Sequence, residues 1–392
     1  MKILFLASSY WPAQDGVSQV TQYLAEGLAK NHEVFVIATR KDYSEAEERN
    51  QVQILRIYAT RNPIFCQYHG EKKRVEDSIL RFCPDVLIIV NIQHWAFDWF
   101  KRKLDRYPGK KMLMTHGSTI LREYDVWGKI RQIRLRRQIL ADLAAVNIER
   151  YWKKYKAELP RDIAGFDLVS YLFEGEDICQ YMKKSGLHNG MILENATDDF
   201  FFERKAYLVD EAKEIVFINV STYEERKNQK QILRAYYAAN LPNSRLVLIG
   251  SKKTQYYREL TGMKENLEKA DDFSGRIDIW AGLTRERVLE LYKEADIYIS
   301  ASSWEAMSIS LCEAAAAGLL ILSTDVGHAA KIPGVMLFEG EQQLKELIEK
   351  AYREPEIRRK NGALANAYAE ENYRTQKKVD LLEQNLLELV GR

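Results

Sequence analysis

Cysteine is scarce in this chain: Cys66, Cys83, Cys179 and Cys312 are the four, scattered and with no C-x-x-C. That excludes a disulfide framework and a thiolate zinc site and fits reduced thiols. No stretch approaches the roughly 18–20 apolar residues of a spanning helix. The opening Met1-Lys2-Ile3-Leu4-Phe5-Leu6-Ala7 turns polar too soon for a signal peptide. A cytoplasmic location is therefore expected. The net charge is only +2, without the basic excess of a dedicated nucleic-acid binder, so no nucleic-acid partner is expected. Ser8 to Gly16, after the first apolar run, contains no G-x-G-x-x-G, and no Walker loop occurs anywhere. The dinucleotide fingerprint of a dehydrogenase and the P-loop are both excluded. Low-complexity segments and internal sequence repeats are absent too.

What is present is a long, well-mixed globular chain. Its 392 residues, 46% hydrophobic and 11% aromatic, are too many for one core and enough for two. Short apolar runs alternate with amphipathic ones. Strands are predicted over 2–7, 34–38, 52–57, 86–90, 111–115, 168–171 and 190–193. A second series covers 215–220, 245–249, 277–280, 296–300, 319–323 and 335–338. Helical patterns fill the gaps, as over 17–30, 229–239, 285–293 and 341–353. Alternation of this kind implies parallel sheets with helices on both faces. The fold class expected is α/β, with two doubly wound Rossmann-like domains. The break between them is expected within 195–214, which has no clear strand.

Two glutamates mark the second series. Glu305 follows the strand at 296–300, and Glu313 stands eight residues later in the alanine-rich run before the strand at 319–323. The spacing places one acid in a loop at a strand's carboxyl end and the other about two turns deeper on a helix, at the edge where open α/β sheets bind ligands. A lone E-x7-E pair is a weak signal. Arg226 and Lys227 follow the strand at 215–220, and Gly250-Ser251-Lys252-Lys253 follows the next. Cations beside carboxylates in one crevice suit a nucleotide-sugar, since phosphates need positive charge and hydroxyls need acceptors. Asp15-Gly16 before the first helix reads most simply as a turn and cap, or as an amide cluster aimed at an anion.

With these residues in order, the chain resembles the retaining glycosyltransferases of family 4. Ser221-Thr222-Tyr223-Glu224-Glu225-Arg226-Lys227-Asn228 resembles the family's "V-G-T-L-E-P-R-K-N" segment, and Leu246-Val247-Leu248-Ile249-Gly250 its "L-V-I-V-G". Glu305 through Glu313 with Ala314 and Gly318 resembles "E-G-F-G-L-P-x-x-E-A-x-A-x-G". Thr324-Asp325-Val326-Gly327 resembles "S-D-V-G", and Asn195-Ala196-Thr197-Asp198 resembles "N-G-V-D". In the first half, Pro12 to Gly16 resembles a "P-x-x-G-G" loop and Thr115-His116-Gly117 a "T-x-H-G/D". The resemblance implies the GT-B fold: two Rossmann-like domains facing across a cleft, 1–200 on the acceptor side and 201–372 binding the donor. A C-terminal helix over 373–392 is implied to pack back on the first domain.

Carried over residue by residue, the resemblance implies catalytic roles for His116, Lys227, Arg226 and Glu305. Lys227 with Arg226 would neutralise the donor diphosphate. Glu313 would accept from the ribose, with Ala306, Met307, Ser308, Ile309, Ser221 and Gly250 also on the donor. Asp15 and Gly16 would form a phosphate or acceptor loop. His94 is a weaker candidate, and His328 is expected near the nucleotide. No D-x-D occurs, so metal-independent departure of the diphosphate is expected, with no cofactor and no metal ligands. Two departures bear on the sugar: Ala306-Met307-Ser308 stands where the family has Gly-Phe-Gly, and Asp15-Gly16 where it has paired glycines.

The reaction implied is transfer, with retention, of a sugar from a nucleotide-diphosphate donor, UDP- or GDP-linked, to a hydroxyl of a glycan, a lipid-linked or another glycoconjugate acceptor. The alternatives are a nucleotide-sugar epimerase of the same fold and a binding protein without chemistry. The segment from Arg122 to Arg161 has eleven Lys/Arg against five Asp/Glu, with aromatics interleaved. It reads either as a solvated helix face or as a peripheral contact with the inner face of an anionic membrane.

Overall fold

The computed structural model of the chain describes residues 1–13, 15–40, 46–117, 138–203, 214–269 and 273–391. Two compact units result, Met1–Glu194 with Gln376–Arg392, and Asn195–Thr375. The division falls at Glu194, six residues before the expected 200.

In the first unit the elements run β1 (Lys2–Ala7), α1 (Gly16–Leu28), β2 (Glu33–Thr39), β3 (Ala46–Arg49), β4 (Val52–Ile57), β5 (Ala59–Arg61) and β6 (Tyr68–Gly70). There follow α2 (Lys72–Phe82), β7 (Val86–Val90), α3 (Trp95–Phe100), β8 (Lys110–Met114), α4 (Gln138–Ala164), β9 (Leu168–Tyr171), α5 (Asp177–Lys184) and β10 (Gly190–Ile192). The main sheet has the order β10-β9-β8-β7-β1-β2-β4-β3. β1, β7 and β8 are almost wholly buried along their length, as strands covered on both faces must be, which is why they read as continuous apolar runs. The chain winds outward from β1 through β2 and returns on the other side at β7, so the strand order reverses between β1 and β7.

The main sheet is parallel, as expected, except at one edge. β3 pairs antiparallel with β4 through a two-residue turn, Asn50-Gln51, both at positive φ. Ala-Glu-Glu-Arg has no apolar alternation to reveal it, because an edge strand needs a partner on only one side. β5 and β6 form a separate antiparallel hairpin.

The second unit continues with β11 (Ile215–Val220), α6 (Gln229–Ala239), β12 (Ser244–Gly250), α7 (Gln255–Leu267), β13 (Arg276–Ala281), α8 (Arg285–Glu294) and β14 (Ile297–Ser300). It closes with α9 (Ile309–Ala316), β15 (Leu320–Ser323), β16 (Met336–Leu337), α10 (Gly340–Arg353) and α11 (Pro355–Asn372). All its sheet pairs are parallel. The order β13-β12-β11-β14-β15-β16 is the 3-2-1-4-5-6 winding of a dinucleotide-type half, with its switch point between β11 and β14. Below it lies a core of Phe217, Leu246, Leu248, Ile297, Ile299, Leu320 and Leu322.

The last helix, α12 (Thr375–Gly391), belongs from Gln376 onward to the first unit. Its Glu383 receives His32 Nε2 at 2.7 Å and Asn31 at 3.1 Å, and its Lys378 pairs with Glu194 at 3.0 Å. Among the described residues no helix is long and apolar enough to cross a membrane.

Candidate functional site

The two strands that flank the switch point of the second sheet each end in a charged loop. After β11, Glu225–Lys227 makes a single 3-10 turn, Asn228 takes the left-handed conformation, and α6 begins at Gln229. Ser221 is locked beneath the turn: its hydroxyl donates to Asn219 at 2.8 Å and accepts from Gln229 at 2.7 Å. After β14 the chain runs through residues 301–308 to α9. The two loops are tied by backbone, Ser303 N–H donating to the Arg226 carbonyl at 2.8 Å.

On that frame Glu305 receives three donors. Lys227 Nζ binds Oε1, Ser302 Oγ donates to the same oxygen at 2.7 Å, and Arg226 Nη1 reaches Oε2 at 3.2 Å. Arg226 also donates to the Trp304 carbonyl at 2.9 Å and pairs with Glu224 at 2.8 Å. The Lys227 and Glu305 side chains are both only 12% exposed, against 35% for Arg226. Lys227 is thus a sheltered, fixed cation, and Arg226 a more exposed one shared between two carboxylates. The expected trio of Arg226, Lys227 and Glu305 is brought together.

Glu313 lies deeper, on α9, at 2% exposure, and Arg285 at the start of α8 binds it at 2.5 Å. A side chain so enclosed would be costly to bury without such a hydrogen-bonded partner. Ser308 is the N-cap of α9 and makes no side-chain capping bond to its first amides. Helix-terminal amides of this kind favour negative charge. Ala306 is half-buried, and its carbonyl packs against Gly327, which holds φ of +61° after β15. Met307 is buried and accepts the Asn195 side-chain amide on its carbonyl at 2.9 Å. Its sulfur also accepts the Asn195 backbone N–H at 3.3 Å. Gly250 is buried as well, and a Cβ there would overlap the Tyr223 ring.

His328 does not face the edge. It is enclosed beside Cys312 at 3.7 Å and Tyr373, and burial pushes its pKa down to about 3.

In the first unit the site residues stand at the carboxyl edge near the β1–β7 reversal. Thr115 closes β8, its hydroxyl donating to Ser170 at 2.7 Å. His116 follows, half-buried, its N–H donating to Asn91 Oδ1 at 2.9 Å. Gly117 has φ of +90°. Glu176, the N-cap of α5, lies behind them: the Leu172 N–H donates to it at 2.5 Å and the Gly117 backbone also faces it. Burial pushes its carboxyl up to about 7, the amides of Leu172 and Gly117 and the charge of Asp177 being smaller influences. Asp15 caps α1, accepting from Ser18 N–H at 3.0 Å and from Ser9 at 3.2 Å. Its own carboxylate thus occupies the helix N-terminus, where an incoming phosphate would meet negative charge. Asp15 and Gly16, expected as a phosphate or acceptor loop, are both exposed. His94 is a buried cap of α3, held neutral by burial with its pKa pushed down to about 3. Of the basic segment, residues 122–137 lie outside the described residues, and the remainder falls in α4.

Residues 200–367 match the family model described as Glycosyl transferases group 1. The match lies within the second unit, and that part of the chain is a glycosyltransferase group 1 domain. No curated protein matches it by sequence. Solved structures match over nearly the whole chain. Sucrose-phosphate synthase from Thermosynechococcus elongatus superposes with a TM-score of 0.75 at 13% identity, covering 100% of this chain and 99% of that one. The Anabaena protein HepE in complex with UDP and glucose gives 0.68 at 15% identity, covering 98% and 99%. An Escherichia coli structure titled trehalose-6-phosphate, bound with UDP-2-fluoro glucose, gives 0.70 at 10% identity, covering 98% and 99%. At these identities the likeness is one of fold, and the fold is GT-B, with two Rossmann-like domains.

The partners that sequence reasoning missed are Arg285, Ser302, Asn195 and Glu176. Arg285 had a visible signal: it follows Gly282 at the carboxyl end of β13, the same edge as the other site loops. Ser302 and Asn195 act through residues far from them in sequence, and spacing alone holds no trace of that.

Proposed function

We propose that the protein is a retaining, metal-independent glycosyltransferase that moves a sugar from a nucleoside-diphosphate donor, UDP- or GDP-linked, to a hydroxyl acceptor. The observation that carries this is the fixed cation pair Arg226–Lys227 at the β11–β14 switch point, set against Glu305 and near the N-terminus of α9. Breaking the bond between anomeric carbon and phosphate oxygen leaves new negative charge on the departing diphosphate. Preorganised cations and helix amides stabilise that charge without reorganising at the moment of reaction. Lys227 spends one of its three N–H donors on Glu305, so the ammonium is oriented and still able to serve a phosphate. Glu305 and the backbone at residues 306–309 are assigned to the sugar, and Glu313 to the ribose. His116 and the Asp15-Gly16 loop are assigned to the sugar and acceptor side. The UDP-sugar ligands named for the similar structures support a donor of this class.

The acceptor is assigned to the first unit: a glycan, a lipid-linked or another glycoconjugate hydroxyl, as in bacterial polysaccharide or glycolipid assembly. Retention follows from a front-face route in which the acceptor hydroxyl enters on the side the phosphate leaves and gives its proton to that phosphate. The basic run from Arg122 would hold the enzyme at the inner face of an anionic membrane.

The test is a panel of UDP-, GDP-, ADP- and dTDP-sugars, first by thermal shift, then by release of free nucleotide with and without chelator. Release of nucleotide with sugar of retained anomeric configuration supports the reading. Binding without transfer or hydrolysis favours a binding protein, and an altered free sugar without any acceptor favours an epimerase.

A further inference from the structure

We propose that Arg285 is a nucleotide-recognition residue: it positions Glu313 and offers its remaining N–H donors to the ribose of the bound nucleoside diphosphate. This rests on the reading of the second unit as the donor site. Arg285 is the first residue of α8, just beyond the carboxyl end of β13, and so on the sheet edge that carries Lys227 and Glu305. Its Nη2 binds Glu313 Oε1 at 2.5 Å. The two side chains are unequally covered, 28% exposed for the arginine and 2% for the glutamate. The solvent-facing member of the pair is therefore the guanidinium.

The arginine is braced rather than loose. The Phe201 ring lies 5.0 Å from the guanidinium carbon, and Phe201 packs edge-on against Tyr292 at 5.1 Å. The Tyr292 hydroxyl in turn donates to the Ser310 carbonyl at 3.2 Å, one turn before Glu313 on α9. A guanidinium has five N–H donors in a rigid plane. With one on Glu313, the others are available at a fixed angle to the same carboxylate. A ribose hydroxyl is both donor and acceptor. One hydroxyl can then donate to Glu313 while accepting from Arg285, and an acidic and a basic group fixed side by side read a diol better than either alone. Lysine, a point charge on a flexible stem, cannot reproduce that plane.

The experiment titrates UDP and GDP, and their 2′-deoxy forms, into wild type, Arg285→Lys, Arg285→Gln and the double variant Arg285→Gln/Glu313→Gln, followed calorimetrically, with donor hydrolysis as the kinetic readout. Wild type is expected to favour the ribose form by about tenfold or more, as sites built around a hydroxyl do. In Arg285→Lys that preference should shrink to about threefold or less, with donor KM rising more than kcat falls. The double variant leaves no buried unpaired carboxylate, so it reports on recognition even if Arg285→Gln unfolds; it too should lose the ribose preference. An unchanged ribose preference and unchanged donor KM in Arg285→Lys and in the double variant overturn this proposal while wild-type binding and hydrolysis keep the donor-site reading. If wild type binds neither nucleotide, the donor-site reading falls and this proposal with it.

Discussion

Lys227 and Glu305 are separated by 78 residues and meet as an ion pair at the point where the second sheet reverses its strand order. The pair depends on nothing local. β11 and β14 must lie side by side, and the loops beyond them must be stapled by the Ser303–Arg226 backbone bond. The lysine is thereby fixed in a sheltered place against a carboxylate.

Replacing Lys227 by alanine should lower kcat for transfer or donor hydrolysis by roughly 10²–10³-fold, the usual loss for one preorganised electrostatic group. Arg226→Ala should cost less, about tenfold, because that side chain is more exposed and already shared with Glu224. A chelator should change either rate by less than Lys227→Ala does. Steady-state assays with and without chelator decide it: activity abolished by chelation but untouched in Lys227→Ala would remove the lysine from leaving-group stabilisation.

Gly327 makes a second long-range prediction. At φ of +61° a side chain there is strained, and its Cβ would collide with the Ala306 carbonyl and stand 3.1 Å from that of Glu305. Gly327→Ala should cost about 1–2 kcal/mol from the left-handed backbone alone, lowering Tm by about 2–8 °C, and the displaced loop at 305–306 should raise donor KM. Gly262→Ala, in the interior of α7 with nothing within 4 Å, is the control and should be neutral or stabilising. Equal behaviour of the two variants by thermal melt and donor kinetics would sever Gly327 from the loop at 305–306.

Much of this was legible in the sequence. β1, β4, β7, β9, β11 and α6 lie where the apolar runs and amphipathic pattern put them, because strands buried on both faces carry their assignment locally. Arg226, Lys227 and Glu305 converge because each closes an element at the same sheet edge. What periodicity could not show was pairing across the fold. The Arg285–Glu313 bond spans 28 residues and needs β13 and α9 to be placed first. Met307 and Gly250, assigned to the donor, also meet Asn195 and Tyr223, contacts that their spacing does not show. The β3 strand and the β5–β6 hairpin escaped notice because polar edge strands lack alternation.

Glu176 gives a pH prediction. Its carboxyl is pushed up from 4.5 to about 7, first by burial, so the folded state holds a proton that the unfolded state releases. Stability on this account is full below about pH 4.5, falls as pH rises, and levels off above about pH 7, a loss of about 3 kcal/mol at 1.36 kcal/mol per unit. Glu176→Gln keeps an acceptor for Leu172 N–H and cannot ionise. Denaturant melts from pH 4.5 to 7.5 should show a shallower fall in stability for the variant than for wild type. Parallel curves would mean that Glu176 does not titrate in this window. The same variant should leave His116 in place, since that residue is fastened independently through Asn91.

The attachment of α12 to the first unit turns on Gly27. A Cβ at Gly27 of α1 would overlap the methyl groups of Val379 on α12, and Val379 is itself buried at 3% exposure. By helix propensity alone, Gly27→Ala should be stabilising by about 1 kcal/mol. Overpacking against a stiff β-branched side chain should outweigh this by costing about 1–3 kcal/mol, so the single variant should be neutral to destabilised, and limited proteolysis should release the C-terminal helix sooner. Val379→Ala alone should lose stability by leaving a void. Together the two changes exchange methyls across the same contact, and a double-mutant cycle should return a favourable coupling of about 1 kcal/mol or more. Additivity within about 0.5 kcal/mol would mean that the two helices do not meet at this point, and that α12 is held instead by the polar bonds of Glu383 and Lys378 alone.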